Sequence, residues 1–263
     1  VSQDSIKSSV NDKNKWVFFT KGGPYNKWYG NNWLLVNWAN DGHELKNDSK
    51  AVIRNKQYQF KKGLTYSSTG SKGSSFRTFD ETSLFSGGGP AVIRVGNTYF
   101  DDFYMCAVLN GQLVKYMLGC LNPTVNTTQG DMNRIPFAIP SSEKMRNISN
   151  HAKKNIDIKK HLCQYSIIEP LYKASPVSIE ADAPTSISNY YTYENALLTQ
   201  ILLNESVINK TVFEVYELSE HDKQMVLEKE GVPVGDLPVS RSAKAAYREW
   251  LTANEEFPVS DEV

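Results

Sequence analysis

Between Leu113 and Phe137 the sequence changes character, and this restricts the chain to folds that join a strand-bearing part to a helical one. Apolar residues at Leu113, Tyr116, Met117 and Leu121 keep the 3-and-4 spacing of an amphipathic helix. Asn122-Pro123 ends it, because the residue before a proline is pushed out of the helical region. A polar loop of Asn, Thr, Gln and Gly follows, and the chain returns to the core at Ile135, with Pro136 and Pro140 bounding the segment. The sequence before this stretch is basic and strand-like; the sequence after it is acidic and largely helical.

Upstream, residues 1–14 are polar and read as a linker. Trp16–Thr20 and Gly63–Tyr66 read as short strands, and Lys27–Trp38 as an aromatic, β-prone segment ending in the turn Asn40-Asp41-Gly42. Ser67 to Ser75 is nearly all Ser, Thr, Gly and Lys and reads as a mobile surface loop. Phe76–Phe79 returns to the core, and Gly87-Gly-Gly-Pro90 turns into a strand over Ala91–Val95. Asp101–Leu121 is expected to be helical in two pieces split near Asn110-Gly111.

Downstream, Ser141 caps a helix running through Ile148 and Ile156, and a second helix covers Lys159–Ile168. Residues 173–187 form a linker, followed by helices over Tyr190–Ser206, Lys210–Leu218, His221–Lys229 and Ala243–Thr252. The fold class that follows is α+β: a mixed, β-rich domain over residues 15–140 and a mainly helical domain over 141–263.

With 263 residues, 40% of them hydrophobic, the chain can build a core without staples. It has no apolar run long enough to span a membrane and no secretory signal, and cytoplasmic localisation is expected. It does not begin with methionine, so we read it as a piece of something longer. Cys106, Cys120 and Cys163 lie in apolar surroundings without a Cys-x-x-Cys and read as buried free thiols.

A net charge of zero hides a split: residues 1–79 hold 13 Lys/Arg against 5 Asp/Glu, the remainder 16 against 24. Such a basic third points to a polyanion partner or to an unevenly charged solvated surface. From residue 174 onward there are 6 Lys/Arg against 16 Asp/Glu, which argues against phosphate binding there by net charge.

The motifs exclude more than they include. The histidines are scattered, and no spacing supports a metal site. Gly87-Gly-Gly-Pro90 and Gly22-Gly23-Pro24 are followed by proline rather than by a helix N-terminus, so neither cradles phosphate. In Asn122-Pro123-Thr124-Val125 the second proline and the aromatic of an adenine-flipping loop are missing. Neither a cofactor loop nor a nucleophile elbow is present, so no catalytic residue and no bound cofactor are expected in this chain.

A binding signature remains. The basic third interleaves lysine and arginine with Trp28, Tyr29, Trp33, Trp38 and Tyr58, Trp33 and Trp38 reading as core. Candidate DNA contacts are Lys21, Lys27, Tyr29, Asn31, Lys56, Lys62, Lys72, Ser74, Arg77, Asn126 and Gln129. Lys27 and Lys72 suit phosphates as point charges, whereas the planar fork of Arg77 suits a guanine edge or, in the alternative, a salt bridge beside Phe76 and Phe79.

A family resemblance rests on Lys27-Trp-Tyr-Gly-Asn31, Val36-Asn37-Trp38, Asp41-Gly42, Gly63-Leu64-Thr65-Tyr66, Phe76-Arg77 and Pro90-Ala91-Val92-Ile93. Leu118-Gly119, Leu121-Asn122-Pro123-Thr124, Gly130-Asp131 and Ile135-Pro136 continue it. Together they resemble the C-terminal target-recognition region of BREX-type (PglX-like) phage-defence adenine-specific DNA methyltransferases. Val212-Phe-Glu-Val-Tyr-Glu-Leu218 and Gly231-Val-Pro-Val-Gly235 look like that region's helical end, more loosely. The catalytic half and an aromatic-acidic motif after the Ile-Pro segment have no counterpart here.

The resemblance implies that residues 15–140 supply sequence choice on double-stranded DNA. A methyltransferase domain of the same parent chain would then transfer the methyl group from S-adenosylmethionine to a flipped adenine. The alternatives are a recognition part fused to a restriction endonuclease, or an interaction module docking other defence-system proteins.

Overall fold

The computed structural model describes residues 16–96, 98–175 and 182–253. The linker expected over 1–14 lies outside them. The described chain is α+β, with two three-stranded sheets and eight α-helices.

The first sheet has the order β2-β1-β5. β1 (Trp16–Thr20) pairs antiparallel with β2 (Leu35–Asn37) and parallel with β5 (Ser83–Phe85), in a register that sets Phe18 opposite Leu35 and Ser83. Val17, Trp38 and Leu84 form a small core of their own under this sheet. The Asn40-Asp41-Gly42 turn opens α1 (Ala39–Asn47) with three left-handed residues. A Cβ on Gly42 would lie 2.8 Å from the Trp38 ring, so the turn requires glycine there. The second sheet is antiparallel with the order β4-β3-β6. β3 (Gly63–Tyr66) stands between β4 (Phe76–Phe79) and β6 (Ala91–Val92), and Thr65 faces both Arg77 and Ala91.

The predicted helical break is present: α2 (Asp102–Asn110) and α3 (Gln112–Leu121) meet at Gly111. Asp101 caps α2 by accepting from the Tyr104 N–H at 2.7 Å. The expected polar loop follows α3 but contains a short helix, α4 (Gln129–Met132), held by a capping box between Thr128 and Asp131.

The helical part differs from expectation in its joints. Ser141 does cap a helix, but α5 (Ser142–Cys163) runs unbroken through the expected gap after Ile156. α6 (Ala183–Val215) likewise replaces two helices with one of 33 residues. It begins inside the expected linker, because the Asp182 carboxylate accepts from the Thr185 N–H and Pro184 suits the first turn. α7 (Glu220–Glu230) matches expectation, and α8 (Pro238–Ala253) starts five residues early, after a 3₁₀ turn over Val234–Asp236.

One hydrophobic core runs from Trp28, Leu64, Tyr66 and Phe76 on the strand side through Tyr104 and Val114 to Ile156, Tyr193, Ile208 and Val226. Helix α2 packs on both β4 and α5, so strands and helices share this core. Among the cysteines, Cys106 and Cys163 are buried and burial pushes their thiols up to about 12; Cys120, expected to be buried, is exposed on α3.

Candidate nucleic-acid interface

Two polar loops more than 50 residues apart in sequence are sewn together. The β3–β4 loop, residues 67–75, does not stand free as its composition suggests. Its Gly70 N–H donates to the Val125 carbonyl at 2.9 Å, and its Ser68 carbonyl accepts from the Thr127 N–H at 2.8 Å. Side chains repeat the join: Thr69 Oγ1 donates to Asn126 Oδ1 at 2.7 Å, and the Ser74 and Thr127 hydroxyls share a hydrogen bond. Asn122 closes the second loop on itself, donating to the Asn126 carbonyl and to Asp131.

This seam forms one wall of an open groove of about 850 Å³. The half-buried Phe85, Ala91 and Ile93 make its floor apolar, and exposed Val52 stands at the rim with the polar Arg54, Asn55, Thr69, Asn126, Thr128 and Gln129. None of the lining residues is a carboxylate. Amides, hydroxyls and a guanidinium around an apolar floor can donate to phosphate, and they can exchange hydrogen bonds with base edges.

The structure divides the eleven candidate residues into two sets. Lys21, Lys56, Lys62, Lys72, Asn126 and Gln129 are exposed and Ser74 is half-buried. Asn126 and Gln129 line the groove itself, Lys72 and Ser74 belong to the loop that walls it, and Lys56 is in the turn that carries Asn55 and Tyr58. Lys21 packs its stem beside Gly88, next to the groove residue Gly87.

The second set lies inside, and four expectations are corrected. Lys27 is bound to Glu205 at 3.1 Å, so its charge is already spent within the protein. Tyr29 is buried, with Lys160 over its ring, and burial drives its hydroxyl pKa strongly upward. Asn31 is buried; its side chain donates to the Pro24 carbonyl, and its N–H donates to Glu169 at 3.0 Å.

Arg77 is only 1% exposed. Its Nη1 donates to the carbonyls of Asn26 and Ser75, while Nε and Nη2 have no partner among the described residues. Burial lowers its pKa to about 10, against the Cys106 and Glu169 charges that raise it. No part of this guanidinium can reach a guanine from outside the fold.

Arg54 belongs to the basic, aromatic-interleaved stretch read from the sequence as a binding signature, whereas Asn55, Ser68, Thr69, Thr127 and Thr128 are not singled out there as contacts, yet all line the groove. Asn55 adopts a left-handed backbone, which brings Arg54 and Tyr58 to the same wall. That conformation is common for asparagine, and Arg-Asn-Lys at this point was the signal available.

No family model matches the chain. Over 216 residues, 82% of its length, it is 29% identical to the adenine-specific methyltransferase BrxX of Escherichia coli O9:H4 (strain HS), of which the matched part is 17%. Over 130 residues, 47% of its length, it is 31% identical to the adenine-specific methyltransferase PglX of Lacticaseibacillus casei (strain Zhang), covering 11% of that protein. The chain thus spans less than a fifth of either relative. It is related to the BREX-type adenine-specific methyltransferases.

Proposed function

We propose that this chain is the target-recognition part of an S-adenosylmethionine-dependent adenine-N6 DNA methyltransferase of a phage-defence system, and that it reads duplex DNA at the groove walled by residues 67–75 and 122–129. The relationship to BrxX and PglX supports the parent activity. The carboxylate-free groove with its rim of amides and hydroxyls carries the recognition role. The amide of Gln129, which takes no part in the seam, has the donor–acceptor pair that fits an adenine edge in the major groove; Asn126, its oxygen bonded to Thr69, adds its Nδ2 donor, and Lys72, Lys56 and Lys21 neutralise flanking phosphates. The catalytic step and the cofactor belong to another domain of the parent chain, against which this part docks.

Selecting bound duplexes from a randomised pool with this chain, and with Asn126→Ala/Gln129→Ala, tests the reading. A short enriched motif that the double variant loses is expected. Recovery without any enriched sequence, or no retention at low salt, overturns it. Affinity of the isolated chain for arbitrary sequence is expected near about 1–100 μM and strongly salt-dependent.

A further inference from the structure

From residue 174 onward the chain holds only 6 Lys/Arg against 16 Asp/Glu, but the fold does not spread those cations evenly. Four of the six, Lys210, Arg241, Lys244 and Arg248, line one cleft of about 680 Å³ between α6 and α8. Beside it a hollow of about 330 Å³ brings in Lys154 and His151 from α5, and the two share Leu203, Val207 and Lys244. They form one trough along three helices, with cations contributed by each of them.

Counter-charge is short there. Two carboxylates line the trough, and both are engaged: Glu214 with Lys144 at 3.4 Å, Asp236 with the Ser206 hydroxyl. Lys244 reaches the Gln200 amide oxygen at 3.1 Å, a neutral partner. Among the described residues the side chains of Lys154, Lys210, Arg241 and Arg248 have neither an ion pair nor a hydrogen bond. Burial lowers the pKa of Lys244, and the charges of Arg248 and Lys154 lower it further. Like charges held together in this way cost folding energy that a bound polyanion would recover.

We propose that this trough is a second contact surface for duplex DNA, one that grips the phosphate backbone. The duplex as ligand rests on the function proposed above; the trough itself rests on the helices alone. Its amides and hydroxyls are already bonded within the protein, Gln200 to Asn204, Asn204 to Asn155, Ser206 to Asp236 and Thr211 to the Val207 carbonyl, so they offer little to a base edge, whereas ammonium and guanidinium groups neutralise successive phosphates. The surface therefore adds affinity and salt dependence without sequence choice. Net charge hid it, because the two carboxylates that line the trough, Glu214 and Asp236, already have partners within the protein.

The test uses the full chain, fluorescently labelled duplexes of unrelated sequence, and the variants Lys244→Ala/Arg248→Ala and Lys72→Ala, each titrated across a salt series. The trough variant is expected to bind every duplex about tenfold more weakly and to flatten the salt slope by about two, one unit for each lost phosphate contact. Circular dichroism that matches the parent chain guards against misfolding; if it differs, Lys154→Ala on α5 replaces the double variant, with a slope loss of about one. Unchanged binding in the trough variant together with weakened binding in Lys72→Ala overturns the trough and leaves the groove reading intact. The reverse pattern upholds the trough and defeats the groove. Absence of duplex binding at low salt defeats both. Tripolyphosphate that raises the melting temperature as much as a duplex at equal phosphate concentration marks a small-anion site and overturns the assignment to DNA.

Discussion

Lys27 Nζ lies 3.1 Å from a carboxylate oxygen of Glu205, tying a turn near the start of the chain to a helix 178 residues later. The other oxygen of that carboxylate accepts the Trp28 indole N–H at 2.8 Å. Burial alone would lower the Lys27 pKa; the Glu205 charge and hydrogen bond more than offset it, and the net shift is upward. One carboxylate thus satisfies a buried indole and a half-buried ammonium on the strand side from the helical side, and this explains why a lysine beside a glycine-rich turn is not free for DNA.

Glu205→Ala strands both donors and is expected to cost about 3 kcal/mol in urea unfolding. Lys27→Met leaves the indole bond in place and replaces the charge with an apolar stem, so its loss should be clearly smaller. Equal small losses, within about 0.5 kcal/mol of the parent chain, would show that the pair does not fasten the two sides.

Arg77→Ala removes a buried guanidinium whose Nη1 serves the Asn26 and Ser75 carbonyls. A stability loss of about 3 kcal/mol is expected, read by thermal or urea unfolding, with discrimination between duplexes unchanged. If discrimination falls while the melting temperature holds, the residue reads bases and its buried position does not persist on DNA.

Lys72→Ala is the opposite case. Lys72 is exposed on the loop that walls the groove, so the melting temperature should stay put. Affinity should drop for all sequences alike, and the slope of log K against log salt should flatten by about 0.9. Anisotropy titrations at several salt concentrations decide it.

Glu169 sets a pH dependence. Burial raises its pKa above the ordinary 4.5, against the Asn31 and Asn32 N–H groups and the Lys159 and Arg77 charges, which lower it. The folded state then holds its proton more tightly than the unfolded state. The stability from this group is complete below about pH 4.5 and declines as pH rises through the folded pKa. Glu169→Gln has no proton to lose. The melting temperature of the variant minus that of the parent should therefore rise with pH from about 4.5 upward and then level off. Parallel curves over pH 4–8 would refute the assignment.

The elements most legible in sequence were those whose ends carry their own chemistry. Ser141 and Asp101 cap helices locally, Asn110-Gly111 breaks one, and Asn40-Asp41-Gly42 supplies three left-handed residues in a row. The unbroken course of α6 was not legible, because Asn204, Ser206 and Asn209 interrupt its apolar pattern. In the fold these three are buried and face partners elsewhere in the chain: Asn155, Asp236 and the Gln112 N–H. A polar break in the sequence is a set of interhelical hydrogen bonds in space. Arg77 misled for a related reason. Both faces of β4 are covered, so alternation along Phe76–Phe79 does not mark a solvent side. In the candidate groove, Asn126 and Gln129 were visible as polar loop residues, but Thr69 and Arg54 join them only through pairings between distant segments.

The seam between residues 67–75 and 122–129 has a consequence for how a recognition preference on this surface can change. Its two halves share backbone hydrogen bonds at Gly70–Val125 and Ser68–Thr127 and side-chain bonds at Thr69–Asn126 and Ser74–Thr127. Transplanting either half alone from a relative would leave amides and hydroxyls of the other facing mismatched partners. New specificity at this rim is therefore reached by exchanging both halves as a matched pair, or by changing only side chains that point into the groove and take no part in the stitching, such as Gln129 and Arg54.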